Sequence, residues 1–138
     1  MLYTYYFAKV KDLPSNTLPV AICTKPPTWW KGYYYGGLAP KYGFFQKWKQ
    51  THDNDYYVKC YNEQVLSHLT SEQVLLDIFK LFPIGIRRKL KDYSMNWWEN
   101  PDIHVVLLCY EKSSDFCHRH LVAQWFQDNG IEVREWSE

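Results

Sequence analysis

Three short apolar stretches have the pattern of β-strands. Residues 2–8 (LYTYYFA) and 18–24 (LPVAICT) are rich in aromatic and β-branched side chains and are flanked by turn-forming residues. Residues 103–110 (IHVVLLCY) form the most apolar of the three runs. The nine residues that separate the first two stretches are few for a parallel crossover, so the relative direction of these strands stays open.

Apolar residues recur at helical spacing between the second and third predicted strands. Residues 54–69 and 70–82 follow this pattern, and the second helix opens with Thr70 and Gln73 placed as a capping box and stops at Pro83. A third helix is predicted within residues 86–98. Residues 25–43 contain several prolines and glycines, which predict a long ordered loop.

The last part of the chain predicts the fold class. Residues 115–129 have a helical pattern, Gly130 lies where a C-terminal cap belongs, and residues 131–136 alternate as a final strand. A strand, helix, strand unit normally makes a right-handed crossover between parallel strands. With 138 residues, the sequence therefore predicts one small α/β domain over residues 1–138, with a sheet that is at least partly parallel and helices on its faces.

Composition narrows the class of protein. A formal net charge of +1 gives no overall positive field for non-specific nucleic-acid binding, although a local patch remains possible. No secretory leader or membrane-length apolar run is present, so we expect a cytoplasmic protein that does not bind membranes. In that setting the four cysteines are expected to be reduced, and Cys23 and Cys60 are most simply core residues.

The stretch LLCYEKSSDFCHRH (residues 107–120) gathers reactive side chains at one strand exit. Cys109 lies at the end of the third predicted strand and Glu111 directly follows it, and Cys117, His118 and Arg119 open the next helix. On a helical wheel His118 points toward the sheet, whereas His120 points to solvent. Ligands of α/β sheets bind beyond the carboxyl ends of the strands, so we expect an anion site here, with Arg119 as its clamp.

Other interpretations of the same residues stay open. Cys109 and Cys117 are explained as small core residues, or as a redox pair, and Arg119 as an ion-pair partner of Glu111. Zinc is a further alternative, with Cys109, Cys117 and His118 as ligands and Cys23 or Glu111 as the fourth. We expect no metal and no cofactor, because the spacing is not that of a standard zinc motif.

The chain resembles the domain of unknown function 488 family (DUF488, YeaO-like), particularly its compact phage and mobile-element members. The family shows a strand ending in Leu-Leu-Cys-x-Glu, a short loop, and Cys-His-Arg at the start of a helix. This motif maps onto Leu107, Leu108, Cys109, Glu111, Cys117, His118 and Arg119. Weaker matches cover nearly the whole chain. The resemblance implies a small α/β fold with a shared polar site and brings no established reaction.

Aromatic and basic residues interleave in the predicted loop. Stacking on bases together with lysine contacts to phosphate would suit such a loop, and packing against the sheet is the simpler explanation. The candidate ligand-binding residues are Trp29, Trp30, Lys31 and Tyr33, together with Arg119. The basic run RRKLK (residues 87–91) resembles a nucleic-acid patch, but an exposed helix face explains it as well.

The leading hypothesis is a pocket that binds a phosphorylated or nucleotide-like ligand and acts on it by thiol and histidine chemistry. Cys117 or Cys109 would be the nucleophile, His118 the general base, and Glu111 an orienting group or an acid. The alternative is a non-enzymatic phage or mobile-element protein that binds nucleic acid or a host protein through its aromatic loop. Sequence does not decide whether the protein is an enzyme.

Overall fold

The computed structural model describes residues 1–92, 96–112 and 114–137. Within these ranges the strands form one five-stranded, all-parallel sheet in the order β3-β2-β4-β1-β5. The strands are β1 (Leu2–Tyr6), β2 (Thr17–Ala21), β3 (Tyr33–Tyr34), β4 (His104–Cys109) and β5 (Val133–Glu135). The predicted α/β class and the strand, helix, strand unit at the end of the chain are confirmed.

Five α-helices complete the fold in the described part of the chain. They are α1 (Tyr42–Thr51), α2 (Asn54–Gln64), α3 (Ser71–Leu81), α4 (Ile84–Lys91) and α5 (His118–Asp128). Helix α3 begins as predicted, because the Thr70 hydroxyl accepts a hydrogen bond from the backbone N–H of Gln73. The predicted third helix corresponds to α4, which ends at Lys91 instead of continuing to residue 98, because Trp97–Glu99 forms a separate 3-10 helix. Residues 93–95 of that prediction lie outside the described residues.

The two faces of the sheet are covered differently. Leu2, Val20, Val105 and Leu107 point to one face and pack in a single core with apolar residues from all five α-helices. The alternate residues of the strands point to the other face, which is covered by the 3-10 helix Phe7–Asp12 and by the ring of Trp30. The connection that follows β1 therefore covers one face of the sheet, and α5, which follows β4, covers the other.

The predicted loop at residues 25–43 contains ordered elements that its prolines and glycines do not indicate. Tyr33–Tyr34 pairs with Val20 and Ala21 as the edge strand β3, and α1 begins at Tyr42. The first two strands run parallel to one another with β4 between them. Their short connection is sufficient because it carries a compact 3-10 helix instead of an α-helix.

Helix α5 connects the last two strands and fixes the end of the candidate motif. Cys117 is its N-cap residue, one position outside the first turn that the sequence predicts. At the other end, Gly130 has a φ of 79°, and the N–H of Ile131 bonds to the carbonyl of Phe126. This left-handed cap is the one predicted from the sequence. No helix in the described residues is long and apolar enough to cross a membrane.

Candidate active site

A pocket of about 370 Å³ opens at the carboxyl ends of β2 and β4. Ligands of α/β sheets bind beyond the carboxyl ends of the strands, and these two strands are neighbours in the sheet. The volume falls within the ~300–1,000 Å³ usual for small-molecule sites. The wall is formed by Cys23, Thr24, Lys25, Pro40, Phe45, Trp48, Lys49, Tyr57, Cys109, Tyr110, Glu111, Phe116, Cys117 and His118.

Two thiols and one imidazole meet at the base of this pocket. His118 Nε2 lies 2.8 Å from the carbonyl oxygen of Ile22, which can only accept, so Nε2 carries a proton. His118 Nδ1 faces the two thiols, 3.5 Å from Cys109 Sγ and 4.0 Å from Cys117 Sγ. In the neutral ring Nδ1 is therefore the proton acceptor, and it can take the proton of either thiol.

The surroundings of Cys117 favour its thiolate. Burial alone raises the pKa of this thiol. Hydrogen bonds from Cys109 and His118 outweigh that effect, and the charge of His118 and the backbone N–H of Arg119 in the first turn of α5 act in the same direction. The net pKa of Cys117 lies well below its ordinary value, as expected for a cysteine at a helix N-terminus beside a histidine.

The pKa values of the neighbouring thiols and of Glu111 shift in the opposite direction, upward. The hydrogen bond with Cys117 and burial together raise the pKa of Cys109, and burial raises the pKa of Cys23 to about 11. Burial also raises the pKa of the Glu111 carboxyl, and the negative charge of Cys117 adds to this shift. The Glu111 carboxylate lies 3.7 Å from Cys109 Sγ. The pKa of Cys117 is thus lowered while the pKa values of its neighbours Cys109 and Glu111 are raised.

Arg119 is not part of the pocket wall. Its guanidinium is fully buried and makes two hydrogen bonds to the carboxylate of Glu135 on β5, at 3.2 and 2.8 Å. A third hydrogen bond, of 2.5 Å, reaches the backbone carbonyl of Glu111. Thr4 on β1 also donates to Glu135, at 2.6 Å. The ion-pair partner of Arg119 is therefore Glu135 instead of the Glu111 carboxylate considered from the sequence.

The predicted loop residues lie outside the pocket wall. Trp30 donates its indole N–H to the carbonyl of Tyr33, and Tyr33 packs edge-on against Phe82. Trp29 and Lys31 are exposed. The structure brings Lys25 and Lys49 to the pocket instead, with aromatic walls that the sequence analysis did not single out: Phe45, Trp48, Tyr57 and Phe116.

The same cluster has the donor set of a metal site. The ligand atoms of Cys109, Cys117 and His118 lie within 4.8 Å of one another. Zinc accepts this combination of two thiolates and one imidazole, and a protonated Nε2 bound to a carbonyl is a common way to orient such a histidine. The poor ligand spacing along the chain therefore does not prevent these three residues from meeting in the fold. The expectation of no metal stays a prediction.

Comparison with known proteins identifies the family. The family model described as the active DUF488-N3 subclade matches residues 15–130, which is most of the chain and includes the whole candidate site. Searches of curated proteins and of solved structures gave no significant match. The resemblance seen in the Cys-x-Glu and Cys-His-Arg motifs is thus confirmed, and the chain belongs to the DUF488 family.

Proposed function

We propose that this protein is a thiol-dependent enzyme that acts on a phosphorylated or nucleotide-like ligand, with Cys117 as its nucleophile. The observation that carries the proposal is the fixed orientation of His118. Because the carbonyl of Ile22 holds Nε2–H, Nδ1 is directed at the thiols and can accept the proton of Cys117. The description of the matched subclade as active agrees with an enzyme.

The opposed pKa shifts of Cys117 and Glu111 support the remaining roles. Environments that move the pKa values of two neighbouring groups in opposite directions commonly mark a nucleophile and an acid in one site. Cys117, as thiolate, attacks an electrophilic atom of the ligand, and the bond from Sγ forms as the bond to the leaving group breaks. Protonated Glu111 gives its proton to the leaving group. Water then loses a proton to the Glu111 carboxylate and attacks the ligand atom that is bound to Sγ. The new bond to oxygen forms as the bond to Sγ breaks, which releases the product and restores the thiolate.

The walls of the pocket support a nucleotide-like ligand. Aromatic side chains on several sides offer flat surfaces to a heterocycle, and two lysines at the wall offer positive charge to a phosphate. A thiolate of this kind persists where thiols are kept reduced, so we assign the protein to the cytoplasm. Membership of the compact phage and mobile-element group remains a prediction from the resemblance.

Site-specific alkylation tests the proposal. Iodoacetamide at about pH 6 should modify Cys117 in the folded protein, because the thiolate is the reactive form and an ordinary thiol near pKa ~8.5 is protonated there. Peptide mass spectrometry measures the modified fraction at each cysteine. Cys117→Ser should abolish the rapid reaction and Cys60→Ser, on α2, should leave it intact. Nucleoside monophosphates should slow it if they occupy the pocket.

Two results would overturn the proposal. A Cys117 that reacts no faster than Cys60 at about pH 6 would mean that the thiolate is not available as a nucleophile. About one tightly held zinc per chain in the purified protein, lost in Cys117→Ser, would instead make the cluster a metal site. With an inert cluster and no metal, the non-enzymatic binding protein would become the better explanation.

A further inference from the structure

The charge of the chain is unevenly distributed around the pocket. Residues 13–52 contain five lysines and no acidic residue, so all 15 Asp and Glu residues lie elsewhere. This acid-free segment supplies half of the pocket wall, including Lys25, Phe45, Trp48 and Lys49. It also holds nine aromatic residues. A nearly neutral protein therefore presents a locally basic and aromatic surface on one side of the proposed active site.

The aromatic surface continues beyond the pocket. Trp29 is 53% exposed and contacts Phe7 edge-on at 6.2 Å, and Phe7 lies 5.0 Å from the ring of Tyr110, which lines the pocket. Tyr34 is 40% exposed, and its hydroxyl donates to the carbonyl of Thr24 at the pocket wall. The exposed ring of Trp29 is thus connected to the pocket wall through Phe7, and that of Tyr34 through its hydrogen bond to Thr24.

We infer that the ligand of this site is a nucleotide within a single-stranded nucleic acid. One nucleotide occupies the pocket beside Cys117, and neighbouring bases stack on Trp29 and Tyr34 outside it. Lysines of the acid-free segment neutralise the phosphates. The inference rests on the proposed function and adds the size and strandedness of the ligand. A single strand is required because the faces of its bases are free for stacking, whereas a duplex hides them.

The basic helix α4 is the competing surface. It carries Arg87, Arg88, Lys89 and Lys91, but it contains no aromatic residue and contributes nothing to the pocket wall. Phosphate contacts alone would make it a non-specific site for duplex and single strand alike. The two surfaces therefore differ in the ligand that each one prefers and in the residues on which binding depends.

Fluorescence anisotropy with labelled oligonucleotides of about ten nucleotides tests the inference. Single strands should bind at least about tenfold more tightly than a nucleoside monophosphate or a duplex of equal length. Trp29→Ala should weaken single-strand binding about tenfold, since stacking on one ring contributes ~1–3 kcal/mol and 1.4 kcal/mol corresponds to a factor of ten. Trp29→Phe should retain most of the affinity. Parallel titrations with DNA and RNA oligonucleotides show which sugar the site accepts.

Charge-matched variants separate the two surfaces. Lys25→Gln should reduce the slope of log affinity against log salt by about 0.7, while Arg88→Gln on α4 should leave the slope unchanged. Unchanged thermal unfolding of each variant shows that it is folded. Equal binding of single strand and duplex, or a loss confined to Arg88→Gln, would refute the inference and assign nucleic-acid binding to α4.

Failure of single-strand binding can be distinguished from failure of the proposed Cys117 chemistry. Cys117→Ser should bind the labelled single strand as tightly as the wild type does, because the thiolate is not needed for stacking or for phosphate contacts. An unreactive Cys117 together with Trp29-dependent binding of single strands would contradict the chemistry alone. A reactive Cys117 that a monophosphate protects as well as an oligonucleotide does would contradict the inference alone.

Discussion

Replacement of Arg119 by methionine tests how the site is held together. The guanidinium lies with no exposed surface between α5, β5 and the loop that carries Glu111, and it makes three hydrogen bonds there. Methionine fills much of the volume of the arginine stem but offers no donor. The carboxylate of Glu135 would then keep the hydrogen bond from Thr4 and lose its cationic partner.

The magnitude follows from the burial of the two partners. Removal of one member of a buried ion pair typically costs ~3–5 kcal/mol, because the other charge stays desolvated. The side chain of Glu135 keeps 26% of its exposure, so water can compensate for part of the loss, and we expect a cost of about 3 kcal/mol. For a chain of this length that corresponds to a decrease in Tm of roughly 10 °C.

Urea unfolding followed by tryptophan fluorescence measures the free energy of unfolding of Arg119→Met, Glu135→Gln and the double variant. The losses of unfolding free energy in the two single variants should not add. The double variant should be only slightly less stable than the less stable of the two single variants. A cost for Arg119→Met below about 1 kcal/mol, the value typical of exposed pairs, would refute the reasoning. Phosphate should raise the Tm of the variant as much as that of the wild type. The anion-clamp hypothesis predicts that this gain disappears.

Two further substitutions probe the pocket and the core. Glu111→Gln should raise the Tm at about pH 7, because burial raises the pKa of this carboxyl above its value in the unfolded chain. The folded state is therefore stabilised by protonation of Glu111. This stabilisation is complete below about pH 4 and is lost as the pH rises. The gain should therefore vanish near pH ~4, and a pH-independent gain, or an equal one in Glu63→Gln on α2, would contradict this explanation. Tyr61→Phe should lower the free energy of unfolding by about 1–3 kcal/mol, because the buried hydroxyl donates to the carbonyl of Leu38 at 2.6 Å. Tyr34→Phe, whose hydroxyl is exposed, is the control and should cost less than about 0.5 kcal/mol in the same urea titration.

Strong local patterns made most of the fold predictable. The apolar run that became β4, the Thr70 cap of α3 and the glycine after α5 each determine local structure through neighbouring residues. Helix α1 was missed because no side chain caps its N-terminus and Gly43 lies in its first turn. Strand β3 spans two residues, too few to show any periodicity.

The site was predictable only where its residues are close in sequence. Cys109 lies at the end of β4, and Cys117 and His118 lie at the start of the following helix, so their short separation in sequence indicates one site. The helical wheel predicts that His118 is more buried than His120, and this is confirmed. The pairing of Arg119 with Glu135 depends on the register of β5 against β1, which no local pattern encodes. Phe45, Trp48 and Lys49 of the pocket wall come from α1, the helix that the sequence did not predict.

The pocket draws its two halves from separate stretches of the chain, and this division has an evolutionary consequence. The thiols, the imidazole and the carboxyl come from residues 109–118, which are fixed by β4 and the buried Arg119. Most of the opposite wall comes from residues 23–49, between β2 and the end of α1. Substitutions in that second stretch can redirect ligand preference while the reactive groups keep their geometry. Chimaeras that exchange residues 23–49 between family members would therefore transfer specificity without rebuilding the chemistry.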